Sequence, residues 1–129
     1  MHEDTALHKD LTQRIIHCFY NVYNKLGYGF LEKVYENAMI IEMRKHALDV
    51  ESQKRINVLY EGEMVGDYYA DLVVNNLIIL ELKATESLCI EHGLQLLNYL
   101  RATELEVGLL LNFGKKPQIS RKQYLNSEK

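Results

Sequence analysis

The sequence predicts an α/β fold, a mixed sheet of about four to five strands flanked by helices in the order ααβββαβ. Three observations lead there. Apolar residues recur at helical spacing through the first third of the chain, and β-branched and aromatic runs then take over from Val50 to Lys83. A last helical stretch lies between two strongly apolar strands, the pattern of a parallel crossover.

Leu11, Ile15, Phe19, Val22 and Leu26 place one apolar face on a first helix running from about Thr5 to Leu26. Gly27-Tyr28-Gly29 stops it. A second helix is predicted from about Leu31 to His46, with Leu31, Val34, Ala38 and Ile41 as its apolar face. Val50 to Tyr60 and Met64 to Val74 read as two strands joined by a hairpin turn at Glu61-Gly62-Glu63. Asn75-Asn76 makes the next turn, since asparagine tolerates the left-handed backbone that a tight hairpin needs, and Leu77 to Lys83 returns antiparallel. A third helix runs from Ile90 to about Thr103, with Ile90, Leu94, Leu97 and Leu100 at helical spacing. Val107 to Phe113 is apolar without alternation, as expected of a strand buried on both faces. Gly114-Lys115-Lys116-Pro117 ends that strand, and Gln118 to Tyr124 adds a short edge strand.

A chain of 129 residues with 47% hydrophobic content supports one core, so a single domain is expected over 1–129, with 1–10 and 125–129 as frayed ends. No apolar run approaches the roughly 20 residues of a membrane span. The polar opening Met1 to Asp10 lacks the apolar centre of a signal peptide, so a cytoplasmic protein without a membrane partner is expected. Cys18 and Cys89 have no Cys-x-x-Cys spacing, which excludes zinc knuckles and leaves both as small packing residues. A net charge of -3 excludes coating of nucleic acid by charge alone, while Arg44-Lys45, Lys54-Arg55, Lys115-Lys116 and Arg121-Lys122 remain as local basic pairs.

The most informative chemistry lies in Tyr69-Ala70-Asp71-Leu72-Val73-Val74 and Leu77-Ile78-Ile79-Leu80-Glu81-Leu82-Lys83. Charges on interior strands are costly unless a counter-charge or a metal shares their site. Strand alternation puts Glu81 and Lys83 on one face, and the Asn75-Asn76 turn sets Asp71 near-opposite Glu81, at metal-bridging distance. The same residues also read as a cross-strand surface salt bridge, worth about 0–1 kcal/mol. On the third helix His92, Gln95 and Tyr99 share a stripe that suits a water or a phosphate, or is simply a wet helix face. Glu32 and Tyr35 project together from the second helix, where an acid in the first turn equally suits the helix dipole.

Taken together, Gly29-x-x-Glu32-x-x-Tyr35, the Asp71 strand, Glu81-Leu82-Lys83, Gln95 to Leu100 and Val107 to Gly114 resemble the GxxExxY protein family, within the PD-(D/E)xK nuclease-like superfamily. The resemblance covers about Leu11 to Phe113. It implies a restriction-endonuclease-like core in which Asp71 and Glu81 are Mg²⁺ ligands, Mn²⁺ being a substitute, and Lys83 is the catalytic lysine. Glu32 becomes an additional acid, and Gln95 and Tyr99 assist the site. One departure is visible, because members often carry a Val-His pair where this chain has Val22-Tyr23.

The function expected from this is metal-dependent hydrolysis of phosphodiester bonds in DNA or RNA. A module that binds nucleic acid or protein without catalysis is the alternative, and a salt-bridge network in a homodimer is a third reading. The nine tyrosines suit stacked bases or an interface with a second copy, and a homodimer is expected.

Overall fold

Helix α1 spans Lys9–Leu26 in the computed structural model, which describes residues 7–129. Its apolar face is the expected one, with Leu11, Ile15, Phe19 and Val22 buried and Cys18 packed among them. The proposed start at Thr5 lies outside the described residues, and the helix already includes Lys9 and Asp10. Gly27 ends it at φ 66, its N–H bonded to the Tyr23 carbonyl.

Helix α2 (Glu32–Lys45) turns a different face to the core than its spacing suggests. Tyr35, Met39 and Met43 are fully buried, whereas Leu31 is 81% exposed and Ile41 is also exposed. Both sides of this helix carry apolar residues, so periodicity alone does not choose between them. Tyr35 decides the matter physically: its ring stacks on Phe113 at 4.3 Å and 13°, inside the main core cluster.

Strands β1 (Val50–Tyr60), β2 (Glu63–Val74), β3 (Ile78–Lys83), β4 (Val107–Phe113) and β5 (Pro117–Gln123) form one sheet in chain order. Asn75 and Asn76 both adopt positive φ, 51° and 54°, and turn β2 into the antiparallel β3. Among the described strands only β3 and β4 are parallel, and helix α3 (Ile90–Arg101) carries the chain between them. β2 pairs with β3 only over Leu72 to Val74, so the rest of β1 and β2 projects as a two-stranded arm.

Helices α1 and α2 cover one face of the sheet, over Leu72, Val74, Leu80, Leu82, Leu109 and Leu111. Helix α3 covers the other, over Val73, Ile79 and Leu110, which explains the unbroken burial of β4. Leu96 and Leu100 lead that contact, and Gly108 leaves room for Leu96 against β4. Ile90 and Leu94, expected inward, are instead exposed at 78% and 52%. Cys89 is also exposed, contrary to a packing role, and its N–H donates to His92 Nδ1 at 3.2 Å at the start of α3.

The C-terminal residues are tied down rather than loose. A 3₁₀ turn spans Asn126–Glu128, and the Lys129 ammonium donates to the carbonyls of Thr103 and Leu105 at 2.7 and 2.8 Å. No described helix is long and apolar enough to cross a membrane.

Candidate functional site

The β2–β3 ladder stops at the Leu72↔Leu80 pair, and the next two side chains take over the work of the backbone. The Asp71 N–H donates to Glu81 Oε2 at 3.0 Å, and the Leu82 N–H donates to Asp71 Oδ2 at 2.8 Å. Each carboxylate is thus fixed by one oxygen across the splaying strands. The other oxygen of each has no hydrogen-bond partner among the described residues.

On the other side of Asp71, the residue facing it in β1 breaks the strand conformation. Ser52 pairs with Leu72 and Lys54 with Ala70, while Gln53 between them has φ 53. A left-handed residue inside a strand is strained and is often found beside a functional site. Its side-chain amide donates to both oxygens of Glu36, at 3.2 and 3.3 Å. Glu36 is buried on α2, with Lys33 as its ion-pair partner at 3.2 Å.

Glu81 is 6% exposed, and burial, reinforced by the charge of Asp71, pushes its carboxyl up to about 8. Asp71 is also raised, first by burial and then by the charges of Glu36 and Glu32, against the pull of the Leu82 N–H and Lys83. Strand alternation places Glu81 and Lys83 on the same side as Ile79. None of the ion pairs among the described residues includes Asp71, Glu81 or Lys83, so the surface salt-bridge reading does not describe these three residues. What remains is a buried Glu81 beside a half-buried Asp71, with the charge of Lys83 acting on both but no direct ion pair to either.

Helix α3 brings Tyr99 and Gln95 to this centre. Tyr99 is largely buried and its phenol is raised by burial and then by the charge of Glu81. Gln95 Nε2 donates to its hydroxyl at 2.9 Å. His92, the third member of the expected stripe, caps the helix start instead. Helix α2 contributes Glu32 at its exposed first turn, and the charge of Glu32 reaches both Asp71 and Glu81. The entry to that turn is held by Tyr35, whose hydroxyl donates to the Gly27 carbonyl at 2.7 Å and accepts the Phe30 N–H at 3.2 Å. Gly29, at φ 113, supplies the backbone conformation between them.

The segment after Lys83 is held as firmly. Asn112, fully buried and paired with Lys83, accepts the Thr85 N–H at 2.9 Å and donates to the Thr85 carbonyl at 3.0 Å. Gly114 packs so closely on the Thr85 carbonyl that a Cβ there would overlap it.

Two contributors escaped the sequence reading. Glu36 follows Glu32 by one helical turn, a signal that was present in the spacing. Gln53 gave none, because nothing in a glutamine announces positive φ. Of the basic pairs, Lys54-Arg55 is engaged by acids of its own hairpin: Arg55 is bound by Asp67 at 2.9 Å and Lys54 by Glu51 at 3.2 Å.

A family model described as the PD-(D/E)XK nuclease superfamily matches residues 9–123. No curated protein matches the chain. Among solved structures, the crystal structure of SSO0001 is similar, with a TM-score of 0.54 and 17% sequence identity over 72% of this chain and 50% of that one. This chain therefore spans half the length of that protein, and the likeness is one of fold. By the extent of the family match, with a sheet order and a parallel crossover that agree with it, the chain belongs to the PD-(D/E)XK nuclease superfamily.

Proposed function

We propose that this protein hydrolyses phosphodiester bonds of DNA or RNA in a divalent-metal-dependent reaction, and that it stands in the GxxExxY branch of its superfamily. The observation that carries the reading is the pair Asp71 and Glu81, a half-buried and a buried carboxylate that make no direct ion pair among the described residues and keep one oxygen each open. Hard oxygen donors of this kind suit Mg²⁺ or Mn²⁺. Among the described residues no group of three or more His, Cys, Asp and Glu side chains forms a ready cage. That fits an ion which keeps several waters and is completed by substrate phosphate oxygens.

Asp71 and Glu81 would hold the ion, which supplies an acidified water and neutralises charge on the scissile phosphate. Each carboxylate is already anchored on a backbone N–H, so neither has to reorganise to bind. Lys83 places a fixed cation next to the acids, where it stabilises the extra negative charge of the pentavalent phosphate. Tyr99 and Gln95, bonded to each other, position a phosphate oxygen or the attacking water, and Glu32 adds a further acceptor from α2.

The test is cleavage of labelled single- and double-stranded DNA and RNA with Mg²⁺ or Mn²⁺, comparing the parent with Lys83→Met. Cleavage by the parent and a loss of at least a hundredfold in the variant are expected. Equal turnover by both proteins rules the lysine out, and no cleavage of any substrate by the parent removes the hydrolase reading.

A further inference from the structure

A groove of about 770 Å³ lies between helix α3 and the β1–β2 arm. Tyr99 and Gln95 line it, and Tyr99 feels the charges of Glu81 and Asp71, so the groove adjoins the acidic centre. Its lining is unlike that of a channel for the phosphate backbone. Among the described residues Glu91 and Arg101 are its only charged lining and are opposite in sign, and Arg101 is already bonded to Asn98 and stacked on Tyr124. A path for phosphates requires an excess of lysine and arginine, which this groove lacks.

The groove offers instead an aromatic face with amides around it. Tyr68, 47% exposed, sits on the arm with its ring 5.7 Å from that of Tyr99. Asn57, Gln95 and Asn98 carry donors and acceptors along the same walls. The Asn57 amide has no hydrogen-bond partner among the described residues. A π-face flanked by the free Asn57 amide and by the Asn98 amide, whose Nδ2 is still free to donate, suits the edges and faces of a nucleobase, and the volume falls in the range of roughly 300–1,000 Å³ typical of ligand pockets.

Resting on the hydrolase reading, we propose that this groove takes unpaired bases of a single-stranded nucleic acid next to the scissile phosphate. Tyr68 stacks on a base, and Asn57 and Asn98 hydrogen-bond its edge. A duplex keeps its bases stacked and paired, and would have to be opened before it could fill such a groove.

The test is fluorescence anisotropy in Ca²⁺ buffer with three probes of about 12 nucleotides: a single-stranded oligothymidine, an abasic strand with the same phosphates, and a blunt duplex. The base-bearing strand is expected to bind roughly tenfold more tightly than the other two. Tyr68→Ala is expected to weaken that binding roughly fivefold or more while leaving the abasic strand unchanged, and Tyr68→Phe to restore it. Asn57→Ala, at an exposed position, decides the matter if Tyr68→Ala is unstable. Equal affinity for the base-bearing and abasic strands, tighter binding of the duplex, or no binding of the single strand overturns the proposal. Cleavage assays on the same probes keep the two readings apart. Lysine-dependent cleavage with indifference to bases would leave the hydrolase and remove the groove, and base-dependent binding without any cleavage would do the reverse.

Discussion

At the scale of the residue, Glu81 sets the chemistry. Its carboxyl titrates near 8 because it is buried and faces Asp71, so in the folded protein it holds a proton that the unfolded chain releases near its usual 4.5. Between those values the native state binds more protons than the unfolded state, and the metal-free protein therefore loses stability as pH rises from about 4.5 to about 8. Urea unfolding in EDTA across that window checks the sign. Glu81→Gln keeps an oxygen for the Asp71 N–H and removes the charge. It is expected to stabilise the metal-free protein at pH 8 by about 1–3 kcal/mol, with a flatter pH profile than the parent. A variant less stable than the parent at pH 8 would show that the carboxylate is compensated by something other than a cation.

At the scale of the element, the site depends on two clamped connections. Tyr35 pins the loop from Gly27 to Phe30, and through it the first turn of α2 that carries Glu32. Tyr35→Phe keeps the stack on Phe113 and should cost about 1–2 kcal/mol in denaturant unfolding. Gly114→Ala drives a methyl into the Thr85 carbonyl and should cost about 2–3 kcal/mol. These connections were partly legible in advance. Gly29 and Tyr35 stood out in the sequence, and the Asn75-Asn76 turn correctly set Asp71 beside Glu81. The core-facing side of α2 was not legible and that of α3 only at Leu100, because each helix carries apolar residues on more than one side and only tertiary packing selects Tyr35, Met39 and Leu96 over Leu31, Ile41 and Leu94. The left-handed Gln53 and its bond to Glu36 had no local signature either, since the strain is imposed by the meeting of β1, β2 and α2.

At the scale of the whole molecule, the sheet does two jobs with one irregularity. Where β2 leaves β3, the strands open enough for Asp71 and Glu81 to face each other, and the freed part of β2 continues as the arm that walls the groove beside α3. Acid centre and groove are consequences of the same divergence. Metal binding should also be linked to pH in the direction opposite to metal-free stability. An ion must displace the proton that Glu81 holds, so apparent affinity should rise from pH 6 to pH 8, by roughly tenfold or more. Thermal shift with Mg²⁺ and Mn²⁺ at both pH values reads this directly. The most direct measurement of the central claim is calorimetric titration of Mn²⁺ at pH 8 into the parent and Asp71→Ala proteins. Saturable binding by the parent with proton release, and none by the variant at the same concentrations, is the predicted result, whereas equal Mn²⁺ affinity in the two proteins would contradict it.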